Sequence, residues 1–301
     1  MSVENDAAVT SSRCASCGIA ENDDTKLKNC TACYLVRYCG VECQKEHWPK
    51  HKRVCKKRAA ELCDELLFKQ PESSHFGDCP ICMFPLPLDP LKSSMYDCCS
   101  KAVCNGCSHA NKKRELEQGL QLSCPFCRTA PRTREEYDKY KMKRAEANDP
   151  VALRTLGKQC VDKGDFKGAF KYWTRAVELG DLDAHYQLSV MYQCGHGVTR
   201  DMKRALHHLE KAAILGHPNA RNNLGVIEME NGRHERAKKH WMINANLGCD
   251  ISLANLKDMY QEGMLSKEDF AAALRAHHAA VDAMKSPQRE AAEAALRLRR
   301  R

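Results

Sequence analysis

The chain has 301 residues, 43% of them hydrophobic and 29% charged, with 19 cysteines and a formal net charge of +9. That composition excludes wholesale disorder, and without a run of about 18 apolar residues no helical membrane span is expected. Sixteen of the cysteines fall between Cys14 and Cys127. Residues 1–13 read as a polar, disordered lead without the apolar stretch of an export signal, so the thiols are expected in a reducing compartment, cytoplasmic or nuclear. Metal ligation therefore takes precedence over a disulfide framework.

The first candidate ligands in chain order are Cys14-x2-Cys17, Cys30-x2-Cys33, Cys39-x3-Cys43 and His51-x3-Cys55. A two-residue gap lets a tight turn aim two sulfurs at one metal. A three-residue gap sets two ligands one helical turn apart. Eight donors supply two closed tetrahedral sites. His47 competes with His51 by position alone, and packing beside Trp48 is its plainer role.

The segments CASC, CTAC, RYCGVEC and QKEHWPKHKRVC resemble the MYND-type zinc finger over residues 14–55. The resemblance implies interleaved ligation, with Cys14, Cys17, Cys39 and Cys43 on one zinc and Cys30, Cys33, His51 and Cys55 on the other. It also implies docking of short, proline-containing peptides. Closed sites leave no position for an activated water, so hydrolytic zinc chemistry is not expected. Some MYND proteins are lysine methyltransferases through a large further domain, for which no segment here is a candidate.

Residues 56–78 read as a linker helix, with Leu62, Leu66 and Leu67 near helical spacing, Cys63 as buried filler and Pro71 as a stop. Cys79-x2-Cys82, Cys98-Cys99, Cys104-x2-Cys107 and Cys124-x2-Cys127 follow. The loop between Cys82 and Cys98 holds three prolines and is expected as a rigid excursion rather than a strand. A short helix is predicted over 112–122, ended by Gly119.

CPIC, CCSKAVCNGC and CPFCR resemble an all-cysteine RING finger, setting a domain at 79–128. The resemblance implies Cys79, Cys82, Cys104 and Cys107 on one zinc, and Cys98, Cys99, Cys124 and Cys127 on the other. One of Cys98 and Cys99, helped by a neighbouring oxygen or nitrogen, is the alternative to both. It further implies a surface for a ubiquitin-conjugating enzyme at Ile81, Pro125 and Arg128. Asn111 stands where many active ligases carry a tryptophan.

Residues 129–148 read as a charged linker, and residues 149–284 repeat. Leu156, Leu188, Leu224 and Leu256 are separated by 32, 36 and 32 residues, and Ala169, Ala205, Ala237 and Ala273 by 36, 32 and 36. Trp173, Leu209, Trp241 and His277 keep the same register, while Gly180, Gly216 and Gly248 mark helix ends. Each period reads as helix, turn, helix, turn. These residues resemble Sel-one-like repeats, relatives of the tetratricopeptide family, with the best copy at 184–216. The resemblance implies a curved array with a concave protein-binding surface. The fourth copy drifts at Lys257 and His277, as suits a cap or a partly exposed end. Tyr172, Trp173 and Trp241 are expected in the core, the His207-His208 and His277-His278 pairs as structural or surface residues, and Cys160, Cys194 and Cys249 as buried thiols. Residues 285–301 read as a basic C-terminal helix or tail opened by Ser286-Pro287.

The expected fold is mainly α: two small zinc-stabilised cross-brace domains, then an α-solenoid of helix-turn-helix repeats, with about four zinc ions per chain. Fifteen thiolates set against four dications bring the formal charge down to about +2, which removes the general electrostatic case for nucleic acid. The expected partners are proteins, among them proline-containing peptides. The expected function is a zinc-binding interaction adaptor. The alternative is a RING-type ubiquitin ligase whose first finger and repeats select substrate.

Overall fold

In the computed structural model, which describes residues 12–73, 75–130 and 133–299, the chain divides into two units, Met1–Lys69 and Gln70–Arg301. The expected disordered lead at 1–13 lies outside the described residues as far as residue 11, as do the last two arginines of the basic tail.

The first unit pairs β1 (Lys28–Asn29) with β2 (Arg37–Tyr38) in antiparallel register and continues into α1 (Val41–Leu67). Arg37 closes the hairpin, pairing with Glu21 at 2.6 Å and donating to the Leu27 carbonyl at 3.0 Å. The linker helix expected over 56–78 is the second half of α1 and ends at Leu67, short of Pro71. It starts earlier, at Val41, and sets His51 and Cys55 one turn apart on the same face. Cys63, expected as buried filler, is exposed.

The second unit opens with a small sheet and a helix. β3 (Ser93–Tyr96) pairs antiparallel with β4 (Lys101–Cys104), with Ser93 opposite Cys104 and Tyr96 opposite Lys101. The proline-rich loop is therefore irregular only in its first half. Its prolines precede Ser93, and the chain after the short 3-10 turn at Pro90–Lys92 is free to pair. α2 (Asn105–Glu117) starts seven residues before the predicted 112, because the Cys104 sulfur caps it by accepting the Cys107 N–H at 3.4 Å.

Within the charged segment 129–148 lies α3 (Arg134–Glu146), opened by a capping box between Thr133 and Glu136. It packs by ion pairs in place of an apolar stripe. Lys141 is buried between Asp97 at 3.3 Å and Asp138 at 3.2 Å, and Arg144 donates to Ser100 at 2.8 Å.

Eight helices then form four pairs: α4 (Pro150–Asp162) with α5 (Phe166–Glu178), α6 (Leu182–Cys194) with α7 (Met202–Ile214), α8 (Pro218–Glu230) with α9 (His234–Ala245), and α10 (Asp250–Gln261) with α11 (Lys267–Ala283). Asp149, Asp165, Asp181 and Asp201 cap α4 to α7 by accepting first-turn N–H groups. The repeating leucines and alanines are all buried, and so are Trp173, Leu209, Trp241 and His277. His277 is thus core rather than a partly exposed end, with the Asp250 carboxylate 2.9 Å from its Nε2. Of the three late cysteines expected inside, only Cys249 is buried; Cys194 is exposed at the last turn of α6. α12 (Pro287–Arg299) leaves the repeats and packs on α2.

Candidate metal centres

Among the described residues four groups of four donors converge, each with all its ligand atoms within 4.8 Å of one another: Cys14, Cys17, Cys39 and Cys43; Cys30, Cys33, His51 and Cys55; Cys79, Cys82, Cys104 and Cys107; Cys98, Cys99, Cys124 and Cys127. Both halves of the Cys98-Cys99 pair enter the fourth group. His47 joins none of them; its Nδ1 lies 3.0 Å from the Tyr38 hydroxyl, and its ring stacks on His51 at 5.6 Å.

The local backbone that aims these sulfurs recurs. In four of the five two-residue pairs, all but Cys104-x2-Cys107 at the start of α2, the residue four after the first cysteine donates its N–H back to that cysteine's carbonyl: Gly18 to Cys14, Tyr34 to Cys30, Met83 to Cys79 and Arg128 to Cys124, at 2.9 to 3.0 Å. All four residues sit in the left-handed region, with φ of 76, 58, 59 and 61°. The turn folds the segment back so that both sulfurs face the same point.

The spacing between sulfurs tests what the groups can hold. Cys17 to Cys39 is 3.6 Å, Cys30 to Cys55 3.7 Å, Cys82 to Cys104 3.8 Å, Cys99 to Cys124 3.8 Å and Cys98 to Cys127 3.3 Å. A disulfide needs about 2.05 Å. Tetrahedral zinc with Zn–S near 2.3 Å sets sulfurs about 3.8 Å apart. The donors therefore fit zinc, at multiple sites.

Protonation points the same way. Burial pushes the Cys79 thiol up, but N–H groups of Cys104, Cys82 and Ile81 outweigh it and bring it down to about 7. Burial of Cys127 is likewise overcome, chiefly by Thr129, to about 7. Their neighbours go the other way. Cys99 is raised to about 11 by burial and by the Cys124 charge, and Cys55 to about 12 by burial and then Cys30. In the third and fourth groups one thiol is thus favoured as thiolate, while Cys99 and Cys55 resist ionising beside a charged neighbour, a resistance that a dication would remove. With four protein ligands, none of these sites keeps an open position for water.

Of the residues expected to meet a conjugating enzyme, Ile81 is 42% exposed and Arg128 is exposed, whereas Pro125 is buried in its knuckle. Arg128 donates to Asn111 Oδ1 at 2.5 Å, and Asn111 in turn donates to the Ser123 carbonyl at 3.3 Å. Buried Glu115 accepts from both the Ser123 N–H (3.1 Å) and its hydroxyl (2.6 Å), tying α2 to the last knuckle. Spacing alone did not reveal this bracing, because its residues lie between the cysteines.

A fifth donor group, His75, Asp183 and His217, also comes within 4.8 Å. Its hydrogen bonds fit a clasp better than a metal site. His217 caps α8 by accepting the Ala220 N–H on Nδ1 at 3.2 Å, so in the neutral ring Nε2 carries the proton and faces Asp183 at 3.3 Å. His75 Nε2 meets the same oxygen at 2.9 Å, and Arg154 pairs with the other. A dication would meet an N–H and a guanidinium.

Closed thiolate sites beside an α-helical repeat array define a zinc-binding protein-interaction module. Residues 14–55 match the family model of the MYND finger, and residues 155–181 and 182–217 match the Sel1 repeat. Among curated proteins, an uncharacterised protein of Neisseria meningitidis serogroup B is 28% identical over 169 residues, covering 54% of this chain and 35% of its own. The histone-lysine N-methyltransferase SMYD3 of Homo sapiens is 52% identical over 31 residues, 10% of this chain and 7% of that protein. A Sel1 repeat protein from Oxalobacter formigenes superposes with a TM-score of 0.43 at 22% identity, over 59% of this chain and 74% of that one. The chain spans about a third or less of the curated relatives it matches.

Proposed function

We propose that the chain is a non-enzymatic adaptor of the cytoplasm or nucleus, in which the MYND finger grips a proline-containing peptide and the repeat surface a second protein segment. The observation that carries the first half is the exposed apolar set on the first finger. Tyr34, Leu35, Val41 and Trp48 stay 45%, 44%, 63% and 39% exposed, although the metals have taken over the role of a core. Aromatic side chains left bare on a rigid unit suit an extended, proline-bearing segment. Trp48 is also a built-in reporter, since the other two tryptophans, Trp173 and Trp241, are only 4% exposed. Titration of the full chain with proline-containing peptides should shift tryptophan emission and saturate, and Trp48→Ala should abolish the shift. Peptide binding undiminished by both Trp48→Ala and Val41→Asp would remove this reading.

The exposure of Ile81 and Arg128 supports the rival, a RING-type ubiquitin ligase. Against it stand the buried Pro125 and the Arg128 contact to Asn111. Incubation with activating enzyme, a panel of conjugating enzymes and ubiquitin decides between the two. Chains that form and vanish with Ile81→Ala establish the ligase; none across the panel leaves the adaptor.

A further inference from the structure

The C-terminal segment reads as a basic helix or tail, yet one of its arginines is buried. Arg289 is 8% exposed. Its Nη1 donates to the carbonyls of Pro85 at 2.8 Å and Met284 at 2.7 Å, and its Nη2 to the Phe84 carbonyl at 3.2 Å and the Cys82 sulfur at 3.5 Å. The guanidinium lies over the Phe84 ring, 5.8 Å from its centre. Ser286 opens the helix by accepting the Arg289 N–H at 3.3 Å. Gly106 lets α12 come this close. A Cβ there would stand 2.8 Å from the Arg289 nitrogen and 2.9 Å from its Cγ. Lys92 adds an ion pair to Glu293 at 2.9 Å one turn further on.

A buried guanidinium needs an anion, and the one this guanidinium reaches is the Cys82 sulfur, 3.5 Å from Nη2. Four thiolates around one Zn²⁺ carry a net charge of 2−, which is costly to bury without a counter-charge. Arg289 supplies it, and its fork also holds the carbonyls of the Cys79 knuckle in place. We propose that Arg289 is the outer-sphere partner of the Cys79, Cys82, Cys104 and Cys107 zinc site, so that docking of the C-terminal helix governs how tightly that one zinc is held. Arg289 is a positioning residue that acts through Cys82 and the knuckle carbonyls. The proposal rests on reading those four cysteines as a zinc site.

The test is zinc release from the full-length chain into a colorimetric chelator, followed in time. Wild-type protein is expected to release about four zincs, and Cys79→Ser about one fewer, which checks the underlying reading separately. Arg289→Met should accelerate about one quarter of the release by roughly 10-fold or more, the usual scale for loss of an outer-sphere ligand partner, and leave the rest unchanged. Arg289→Lys, which keeps the charge but not the fork, should fall between. Gly106→Val, which pushes α12 away by crowding the Arg289 backbone and Cγ while leaving the guanidinium chemically intact, should reproduce the Arg289→Met trace. Wild-type release kinetics in both Arg289→Met and Gly106→Val, or equal acceleration of all four zincs, overturns the proposal. If Arg289→Met does not fold, Arg289→Lys and Gly106→Val decide it alone.

Discussion

The indole of Trp173 occupies the space that a side chain on Gly157 would need. A Cβ on Gly157 would stand 2.3 Å from the indole Nε1, which donates to the Arg154 carbonyl at 3.1 Å. The relationship recurs one double repeat later, where a Cβ on Gly225 would stand 2.4 Å from Trp241 Nε1. In the second copy Ser189 and Leu209 hold the corresponding positions, and in the fourth Lys257 occupies the small-residue position and His277 the large one. Gly157→Ala should therefore destabilise the helical unit by about 1–3 kcal/mol through overpacking. Trp173→Leu alone leaves a void. The pair Gly157→Ala with Trp173→Leu should lose less than the two single losses added together. Urea denaturation of the four proteins measures this coupling, and strict additivity would refute the direct contact.

Much of this architecture was legible in the chain. The cysteine spacings identify the knuckles, and the 32- and 36-residue periods place Leu156, Leu188, Leu224 and Leu256 in the core, where all four are found. What stayed hidden shares a cause. α3 has no apolar stripe, and its inward side is Lys141 held by Asp97 and Asp138, so hydrophobic periodicity passes over it. α2 begins early on a sulfur cap, which the usual Ser, Thr, Asp and Asn signals do not include. Arg289 looks like any other charge of a basic tail until Gly106 is seen to face it. Gly157 carries no mark in one copy of the repeat; only its pairing with a tryptophan distinguishes it. Polar burial depends on distant partners, and local pattern does not encode them.

Metal content follows from the four donor groups. The full chain should carry about four zincs, and either Cys98→Ser or Cys99→Ser should lower that to about three, because both sulfurs enter the fourth group. An unchanged count in one of the two variants would mean that its sulfur stands outside the coordination sphere. Strong chelation should unfold both fingers while the repeats keep most of the helical circular dichroism. Loss of all helical signal on chelation would contradict this division.

Acid should weaken the repeats before it protonates most carboxylates. Burial pushes the His240 imidazole down to about 3, helped by the charges of Arg221 and Arg236. Burial likewise holds His208 down at about 4, followed by the charges of His185 and His207. Both folded values lie below the ordinary 6.5, so the folded state prefers neutral rings. The stability they contribute is fully present above about pH 6.5 and is lost as pH falls towards the folded values. Between about pH 6 and 4 each such histidine steepens the decline by up to about 1.4 kcal/mol per pH unit. His240→Leu, close in volume, should flatten that limb by one proton's worth. Urea melts of Trp48→Phe backgrounds, read by the remaining Trp173 and Trp241 emission at several pH values, measure the slope, and comparison with the chain carrying His240 cancels the acid sensitivity of the zinc sites. An unchanged slope would mean that His240 titrates alike in both states.

The left-handed residue of the four turn-type knuckles bears on metal retention. Gly18, Tyr34, Met83 and Arg128 hold the same conformation, yet only the first is a glycine. A side chain with a Cβ strains this backbone by roughly 1–2 kcal/mol, and a β-branched one by more. Nothing lies within 4 Å of a Cβ built on Gly18, so a substitution there tests backbone strain without a packing clash. Gly18→Val should hasten zinc loss from the Cys14, Cys17, Cys39 and Cys43 group by about 5- to 30-fold, the factor that one or two kcal/mol represents. Met83→Gly should slow loss from the Cys79 group or leave it unchanged, because relief of strain is partly offset by a more flexible unfolded chain. If Gly18→Val releases its zinc at the wild-type rate, the knuckle turn is not what holds those sulfurs in place.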